Sequence, residues 1–216
     1  MPKILVTFAL RQEGVPFERR LTQRTGTGEM IVGRLDSCEV GITWLGMCLR
    51  DHKKFNGIVT KFQPGIVINS GFAGAVRTLL EPGDFLLGEN FSSPGLLSRL
   101  RTEQIFDASG VFECVEKVAE PPTKMRIGAR ANIVAVDLES AAFAAICTKR
   151  SVPFVTARMV SDRYDESIPR IFLGQGPART KDIFDAVWFG SRMIQLRHRL
   201  ADRLKALIDA GSKCLD

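Results

Sequence analysis

Short apolar runs alternate with polar, glycine-containing stretches along the first three quarters of the chain. The runs at 4–8, 66–69, 133–136 and 154–160 are dominated by Ile, Val, Leu, Phe, Ala and Met. Such runs are typical of strands that are buried on both faces, and helical patterns lie between them. The pattern predicts a single α/β domain over residues 1–216, in which a central mixed β-sheet containing all four runs is flanked by helices.

Turn residues and helical periodicity add further elements. Residues 29–35 and 39–44 predict a strand pair around a turn at 35–38. The other expected elements are strands at 84–89 and 111–118, helices at 47–61, 121–130 and 180–210, and an irregular loop or short helix across 90–110. We attribute the apolar stripe of the last helix to core packing and expect Gly211 to end that helix. The stripe consists of Trp188, Phe189, Met193, Leu196, Leu200, Leu204 and Leu207/Ile208.

Acidic and hydroxyl side chains follow two of the apolar runs. Asp137 and Glu139 come after the run at 133–136, and Ser161-Asp162 ends the run at 154–160. Ligands of open α/β sheets bind at the carboxyl ends of strands, so these side chains are candidates for a site. Asp137 could instead cap the helix that begins near it. Glu139 has mostly apolar neighbours and needs a partner, which could be a pair of ligand hydroxyls or a basic side chain.

A glycine-containing stretch, Ser-Gly-Phe-Ala-Gly at 70–74, follows the run at 66–69. Gly71 and Gly74 would allow positive φ angles and a close approach of the backbone to a ligand. The backbone N–H groups of such a turn can hold a sugar or an anion. A tight bend without a ligand is the alternative.

Composition excludes several classes of function. The net charge is +6, and much of it lies in the last helix, where a solvated face explains it. Basic residues without interleaved aromatics make a nucleic-acid partner unexpected. The start of the chain lacks the apolar region of a signal peptide, and no run is long enough to span a membrane. Five scattered cysteines without a CxxC pair indicate free thiols in a reducing cytoplasm and no zinc site.

Three stretches form a recognisable set, namely VDLES at 136–140, VPF at 152–154 and RMVSD at 158–162. With residues 4–13 and 66–74 in the expected order, this set resembles the nucleoside phosphorylase superfamily, which includes methylthioadenosine/S-adenosylhomocysteine nucleosidases, purine nucleoside phosphorylases and futalosine hydrolases. Shorter bacterial members, such as hopanoid-associated phosphorylases, resemble the stretch that leads into 135–140. The resemblance covers most of residues 3–163 and is weak between 86 and 130.

The resemblance implies a role for each candidate residue. Asp162 would be the acid at N7 of a purine, kept protonated by burial, and Glu13 would activate water. Glu139 would bind the ribose 2′ and 3′ hydroxyls. Other expected substrate contacts come from Leu138 against the sugar, from Gly71 and Phe72 beneath the ribose, and from Ser161. Arg11 takes the position of a phosphate-binding arginine in phosphorylases, and Arg158 is expected to support the strand end or to pair with a carboxylate.

The implied activity is cleavage of the N-glycosidic bond of a purine nucleoside or a 5′-substituted adenosine, with water as nucleophile and without a metal or cofactor. Phe72 stands where phosphorylases commonly have serine, and Cys48 stands where a second glycine is common. These two changes keep open a catalytically weak nucleoside-binding protein as the second alternative, and phosphorolysis is the first. A nucleoside and a homo-oligomer are the implied partners, and phosphate remains open. Phe112 is the only aromatic near the region where relatives stack the purine.

Overall fold

The computed structural model describes residues 1–26, 28–46 and 52–214, apart from the side chain of His52. Within these residues the chain forms ten strands and six α-helices. The strands are β1 (Lys3–Phe8), β2 (Thr22–Thr25), β3 (Met30–Leu35), β4 (Cys38–Trp44), β5 (Ile66–Asn69), β6 (Phe72–Ala75), β7 (Phe85–Gly88), β8 (Ala108–Cys114), β9 (Ile133–Asp137) and β10 (Phe154–Asp162). The helices are α1 (Arg11–Glu18), α2 (His52–Phe62), α3 (Pro94–Thr102), α4 (Pro121–Gly128), α5 (Ser140–Lys149) and α6 (Thr180–Ser212).

All ten strands belong to one mixed sheet in the order β2-β3-β4-β1-β5-β10-β6-β9-β8-β7. The four apolar runs of the sequence are β1, β5, β9 and β10, so the prediction that they share a sheet is confirmed. Strand β10 is buried at all nine positions, although four of its residues are polar or charged, namely Thr156, Arg158, Ser161 and Asp162. It pairs with β5, β6 and β7 and is therefore the centre of the structure.

One end of the sheet closes on itself. Strand β7 pairs with β8 at one edge and with β10 at the other, so β10, β6, β9, β8 and β7 form a small barrel. Small aliphatic residues and Phe112 fill its interior. This closure removes an exposed sheet edge and brings the carboxyl ends of β9 and β10 close together.

Helices cover both faces of the open part of the sheet. Alternate residues of β1 point to opposite faces, so Ile4 and Val6 join one core cluster and Leu5 joins another. The first cluster includes apolar side chains of α1, α3 and α6, and the second includes those of α2 and α5. This architecture confirms the predicted α/β class with a mixed sheet flanked by helices.

The sequence-based boundaries were wrong in several places. The stretch at 70–74 is not one turn, because the chain bends only at Ser70 and Gly71 and then forms β6. Residues 90–110 contain the nine-residue helix α3 and the start of β8, and strand β2 was not predicted. The part of the expected helix at 47–51, with Cys48, lies outside the described residues.

Helix α6 departs from its prediction at two residues. Trp188 was assigned to the core stripe but is 69% exposed, because it lies on the outer side of α6 while Ala186 and Phe189 on the inner side are buried. Gly211 does not end the helix, which continues to Ser212. Although α6 has 33 residues, neither it nor any other helix in the described part of the chain is long and apolar enough to cross a membrane.

Helix α4 is fixed against the barrel at its C-terminal end. A Cβ atom at Gly128 would collide with the carbonyl oxygen of Val76. The guanidinium of Arg77 donates to the carbonyl oxygens of Gly128, Arg130 and Ile133, at 2.8, 2.8 and 2.6 Å. The close approach of backbone to backbone therefore sets the position of α4 relative to β9.

We predict that Gly128→Ala destabilises the protein by roughly 1–3 kcal/mol, because the added methyl group must push α4 away from the barrel. The matched control is Gly57→Ala in α2, where no described atom lies within 4 Å of the added Cβ. That change should stabilise the protein by about 0.5–1 kcal/mol through helix propensity. Urea unfolding of both variants measures the difference, and equal stabilities would contradict the close approach.

Candidate active site

A cavity of about 700 Å³, including its open mouth, lies where the chain leaves β1, β5, β9 and β10. It is bounded by the segment after β1, by β6, by the segments that flank α4 and by the loop after β10. The lining residues are Ala9, Leu10, Glu13, Ser70, Gly71, Phe72, Ala73, Gly74, Val115, Val118, Ala119, Lys124, Val136, Asp137, Leu138, Glu139, Arg158, Ser161, Asp162 and Ile168.

The cavity brings together seven of the eight residues that the sequence singled out as site residues. These seven are Glu13, Gly71, Phe72, Leu138, Glu139, Ser161 and Asp162. Arg11 is the exception, because it is exposed and its guanidinium carbon lies 5.3 Å from the ring centroid of Trp44. The structure therefore gives the expected phosphate role of Arg11 no geometric support.

Arg158 is a buried cation that lines the cavity, with 1% of its surface exposed. Its Nε and Nη2 lie 3.0 and 2.9 Å from Oδ2 of Asp137, and Nη2 lies 3.8 Å from Oε2 of Glu139. Nη1 has no hydrogen-bond partner among the described residues, and the same holds for Oγ of Ser70 on the cavity wall. One guanidinium thus compensates two carboxylates and keeps one donor group for a ligand.

Asp137 serves two of the roles that the sequence left open. Its Oδ1 accepts a hydrogen bond of 3.4 Å from the backbone N–H of Ser140, the first residue of α5, and its Oδ2 accepts one from the Ser140 hydroxyl. Capping of the helix is therefore real, but it occurs together with the ion pair to Arg158. The basic side chain that Glu139 required is also Arg158.

Glu13 lies in the first turn of α1, and its Oε2 accepts a hydrogen bond of 3.0 Å from the backbone N–H of Leu10. Burial of the carboxyl group raises the pKa of Glu13 from 4.5 to about 7, and the nearby charge of Glu139 acts in the same direction. The hydrogen bond from Leu10 and the positive charge of Arg158 oppose this rise. Near neutral pH, Glu13 can therefore both accept and release a proton.

Gly71 makes room for this carboxyl group. Its φ of +143° lies in a region that other residues rarely adopt. A Cβ atom at this position would lie 3.5 Å from Oε2 of Glu13 and 3.8 Å from Nη1 of Arg158. At the bend between β5 and β6 the backbone of Gly71 therefore lies directly beside the Glu13 and Arg158 side chains. Its φ angle is positive, as the sequence predicted.

Ser161 and Asp162 both line the cavity although they are consecutive residues of a strand. In the pairing of β10 with β6, Val160 is opposite Ala73 and Asp162 is opposite Gly74, so β10 has one extra residue there. Such a bulge re-aims side chains. The hydroxyl of Ser161 donates to Oδ1 of Asp162, and both residues are at least 95% buried.

Lys124 of α4 is a site residue that sequence reasoning missed. It is 1% exposed, and its Nζ donates to Oδ2 of Asp162. The same nitrogen donates to the carbonyl oxygens of Arg163 and Glu166 at 2.8 and 2.6 Å. The one available signal was its spacing, since Lys124 and Ile127 are the buried residues of α4 and lie three positions apart on the same face.

Aliphatic side chains line the rest of the cavity, and Phe72 is its only aromatic residue among the described ones. The aliphatic lining residues that the sequence analysis did not assign to the site are Ala9, Leu10, Ala73, Val115, Val118, Ala119, Val136 and Ile168. Phe112 does not reach the cavity, because it fills the barrel interior. In the described part of the chain no group of three His, Cys, Asp or Glu side chains could hold a metal ion.

Proteins of similar sequence are nucleosidases. The chain is 26% identical over 195 residues to the 5′-methylthioadenosine/S-adenosylhomocysteine nucleosidase of Staphylococcus aureus strain bovine RF122 / ET3-1, with 71% of this chain and 83% of that protein covered. The nucleosidase of strain JH9 is 25% identical over the same shares of the two chains. No protein-family model matches the chain.

Solved structures of similar fold come from the same group of enzymes. The S. pneumoniae 5′-methylthioadenosine/S-adenosylhomocysteine nucleosidase with a transition-state inhibitor superposes with a TM-score of 0.75 at 19% identity, over 99% of this chain and all of that one. Futalosine hydrolase of Helicobacter pylori strain 26695, solved as a mutant, gives 0.73 at 18% identity, over 97% and 99%. The resemblance seen in the sequence is thus confirmed, and the chain has the fold of the nucleoside phosphorylase superfamily, to which these nucleosidases and the futalosine hydrolase belong.

Proposed function

We propose that the protein hydrolyses the N-glycosidic bond of purine nucleosides, with 5′-substituted adenosines as the preferred class and water as the nucleophile. The observation that carries this proposal is the separation of two proton-handling carboxyl groups in one cavity. Glu13 lies against Gly71, and Asp162 lies against Gly74, three residues further along the chain at β6. Three residues of chain span at most about 10 Å, so both carboxyl groups can reach a single bound nucleoside.

The cavity supplies the three functions that the reaction needs. Breaking the bond places positive charge on the sugar and negative charge on the base. Glu139, at the start of α5, is the acceptor for the ribose hydroxyls, and its negative charge favours the cationic sugar. Asp162 faces the leaving base, and Glu13 takes a proton from the attacking water, which the unpartnered Nη1 of Arg158 helps to hold.

The charges of the cavity favour water over phosphate. A phosphate site needs several donors and commonly more than one cation. Here the single guanidinium of Arg158 is already paired with Asp137 and Glu139, and Glu13 adds a third carboxyl group nearby. Arg11 lies over Trp44 instead of in the cavity. Phe72 brings an apolar ring to the position where a phosphorylase-like hydroxyl was expected.

The similar proteins support the substrate class. These proteins are named for their action on 5′-methylthioadenosine and S-adenosylhomocysteine, which are both adenosines with an apolar or extended 5′ group. The aliphatic wall of the cavity, with Ile168 from the loop after β10, suits such a group. The alternatives of phosphorolysis and of mere nucleoside binding are not favoured. A homo-oligomer and a cytoplasmic location remain predictions.

We predict that the purified protein releases adenine from 5′-methylthioadenosine in phosphate-free buffer and yields the free sugar. Added phosphate should not raise the rate or produce a sugar 1-phosphate, since the cavity offers no spare cation for it among the described residues. Chromatography of base and sugar products with and without phosphate measures both. Base release that depends on added phosphate would show that the enzyme is a phosphorylase.

The raised pKa of Glu13 also predicts how stability depends on pH. Between about pH 4.5 and about 7 the folded protein holds a proton on Glu13 that the unfolded chain has lost, so the free energy of unfolding falls as the pH rises through this window. A glutamine side chain at this position does not titrate. The stability of the Glu13→Gln variant relative to the wild type should therefore rise across the window, as measured by urea unfolding at several pH values. Parallel curves would mean that Glu13 titrates normally.

A further inference from the structure

The buried pair of Lys124 and Asp162 places a cation beside the group that faces the leaving base. Both side chains are about 1% exposed, and both line the cavity. A lysine in such a place needs a partner, because an unpaired buried ammonium is costly. Here all three N–H groups of Nζ are used, on Oδ2 of Asp162 and on the carbonyl oxygens of Arg163 and Glu166.

The surroundings keep this contact close. Gly74 lies beneath it, since a Cβ atom there would be 3.0 Å from Oδ2 of Asp162 and 3.3 Å from Cε of Lys124. The bulge in β10 turns Asp162 towards the same point. The side chain of Glu166, whose carbonyl oxygen accepts from Lys124, binds Nη2 of Arg192 on α6 at 2.5 Å. The three acceptors of the lysine lie at the end of β10 and in the loop after it, and the contact of Glu166 with Arg192 ties that loop to α6, which fixes the nitrogen relative to the carboxyl group.

We propose that Lys124 is a positioning residue that supplies, through Asp162, the proton taken by the leaving base. The inference rests on the proposed function and extends it to the origin of the proton. In the resting site the pair holds an ammonium and a carboxylate. As the bond between C1′ and N9 breaks, its electron pair moves to the base. Nζ passes a proton to the Asp162 carboxylate, and the carboxyl group formed in this way gives a proton to N7.

Each proton that moves during the reaction is given or taken by a group that lines the cavity. After the transfer the base is neutral, Asp162 is again a carboxylate, and Lys124 is a neutral amine whose remaining two N–H groups still bind the two carbonyl oxygens. Hydroxide from the attacking water joins C1′, and the water's other proton goes to Glu13. Solvent then returns a proton to Lys124 and removes one from Glu13, so the net reaction is hydrolysis.

The test compares two leaving groups on the same sugar. Adenine in 5′-methylthioadenosine needs a proton to leave, whereas 4-nitrophenol in the corresponding 5′-methylthio riboside leaves as a stable anion. We expect Lys124→Met to slow adenine release by about 10²–10⁴-fold, the usual contribution of an acid catalyst, and to leave nitrophenol release near the wild-type rate. Lys117→Met, at an exposed lysine between β8 and α4, is the control and should affect neither.

Two further variants keep the test decisive if the unpaired Asp162 charge impairs folding of Lys124→Met. Lys124→Gln keeps hydrogen-bond donors but has no transferable proton. In Asp162→Asn with Lys124→Met, both charges are absent, and this double variant should release adenine no more slowly than Asp162→Asn alone, because the two residues act as one unit. If the losses of adenine-release rate in the two single variants were additive in the double variant, the proposed proton transfer from Lys124 through Asp162 would be contradicted.

The possible outcomes distinguish the proton transfer from Lys124 through Asp162 from the proposed hydrolase function on which it rests. If Lys124→Met slowed release of both leaving groups equally, the lysine would be only a structural ion-pair partner of Asp162. Unchanged adenine release would also contradict the proton transfer from Lys124. In either case the proposed hydrolysis by the wild type would stand. A wild-type protein that releases neither leaving group would overturn the proposed function and the proton transfer together.

Discussion

The site depends on one buried guanidinium. Arg158 lies in the middle of a strand that is buried along its whole length, where an unpaired charge would be strongly unfavourable. Asp137 and Glu139 satisfy it, and this requirement brings the end of β9 and the start of α5 to the centre of β10. Removing one partner of such a pair typically costs about 3–5 kcal/mol. Nη1 of the same guanidinium and the Glu13 carboxyl group both lie beside Gly71, so folding and the arrangement of the site share one interaction.

Much of the fold could be predicted from the sequence because buried strands have a strong local signature. The runs that became β1, β5, β9 and β10 are rich in apolar residues, and polar residues or glycine lie at or shortly after the end of each. Because ligands of α/β sheets bind at the carboxyl ends of strands, the residues that follow these runs could be chosen as site candidates without knowledge of the strand order. The expectation that Glu139 needed a partner also followed from its apolar neighbours alone, and Arg158 is that partner.

The parts that could not be predicted depend on contacts between distant segments. The four residues of β6 read as a turn because two of them are alanine and one is glycine, and they become a strand only because β10 and β9 lie on either side. Trp188 is exposed although the next residue, Phe189, is buried, and periodicity alone did not show which of the two aromatic residues points inward. Lys124 resembled an ordinary helix lysine. Its burial follows from the close approach at Gly128 and from acceptors 38 to 42 residues away, which no local pattern reveals.

The central claim is that Glu13, with its pKa raised by burial, activates water in a cavity that also holds the sugar and the base. The most direct measurement is the pH dependence of kcat/KM for phosphate-independent adenine release. Below the pKa of about 7 the carboxyl group is protonated and cannot accept a proton, so the rate should fall by about tenfold for each pH unit. A rate that stays constant to about two units below that value would contradict the claim.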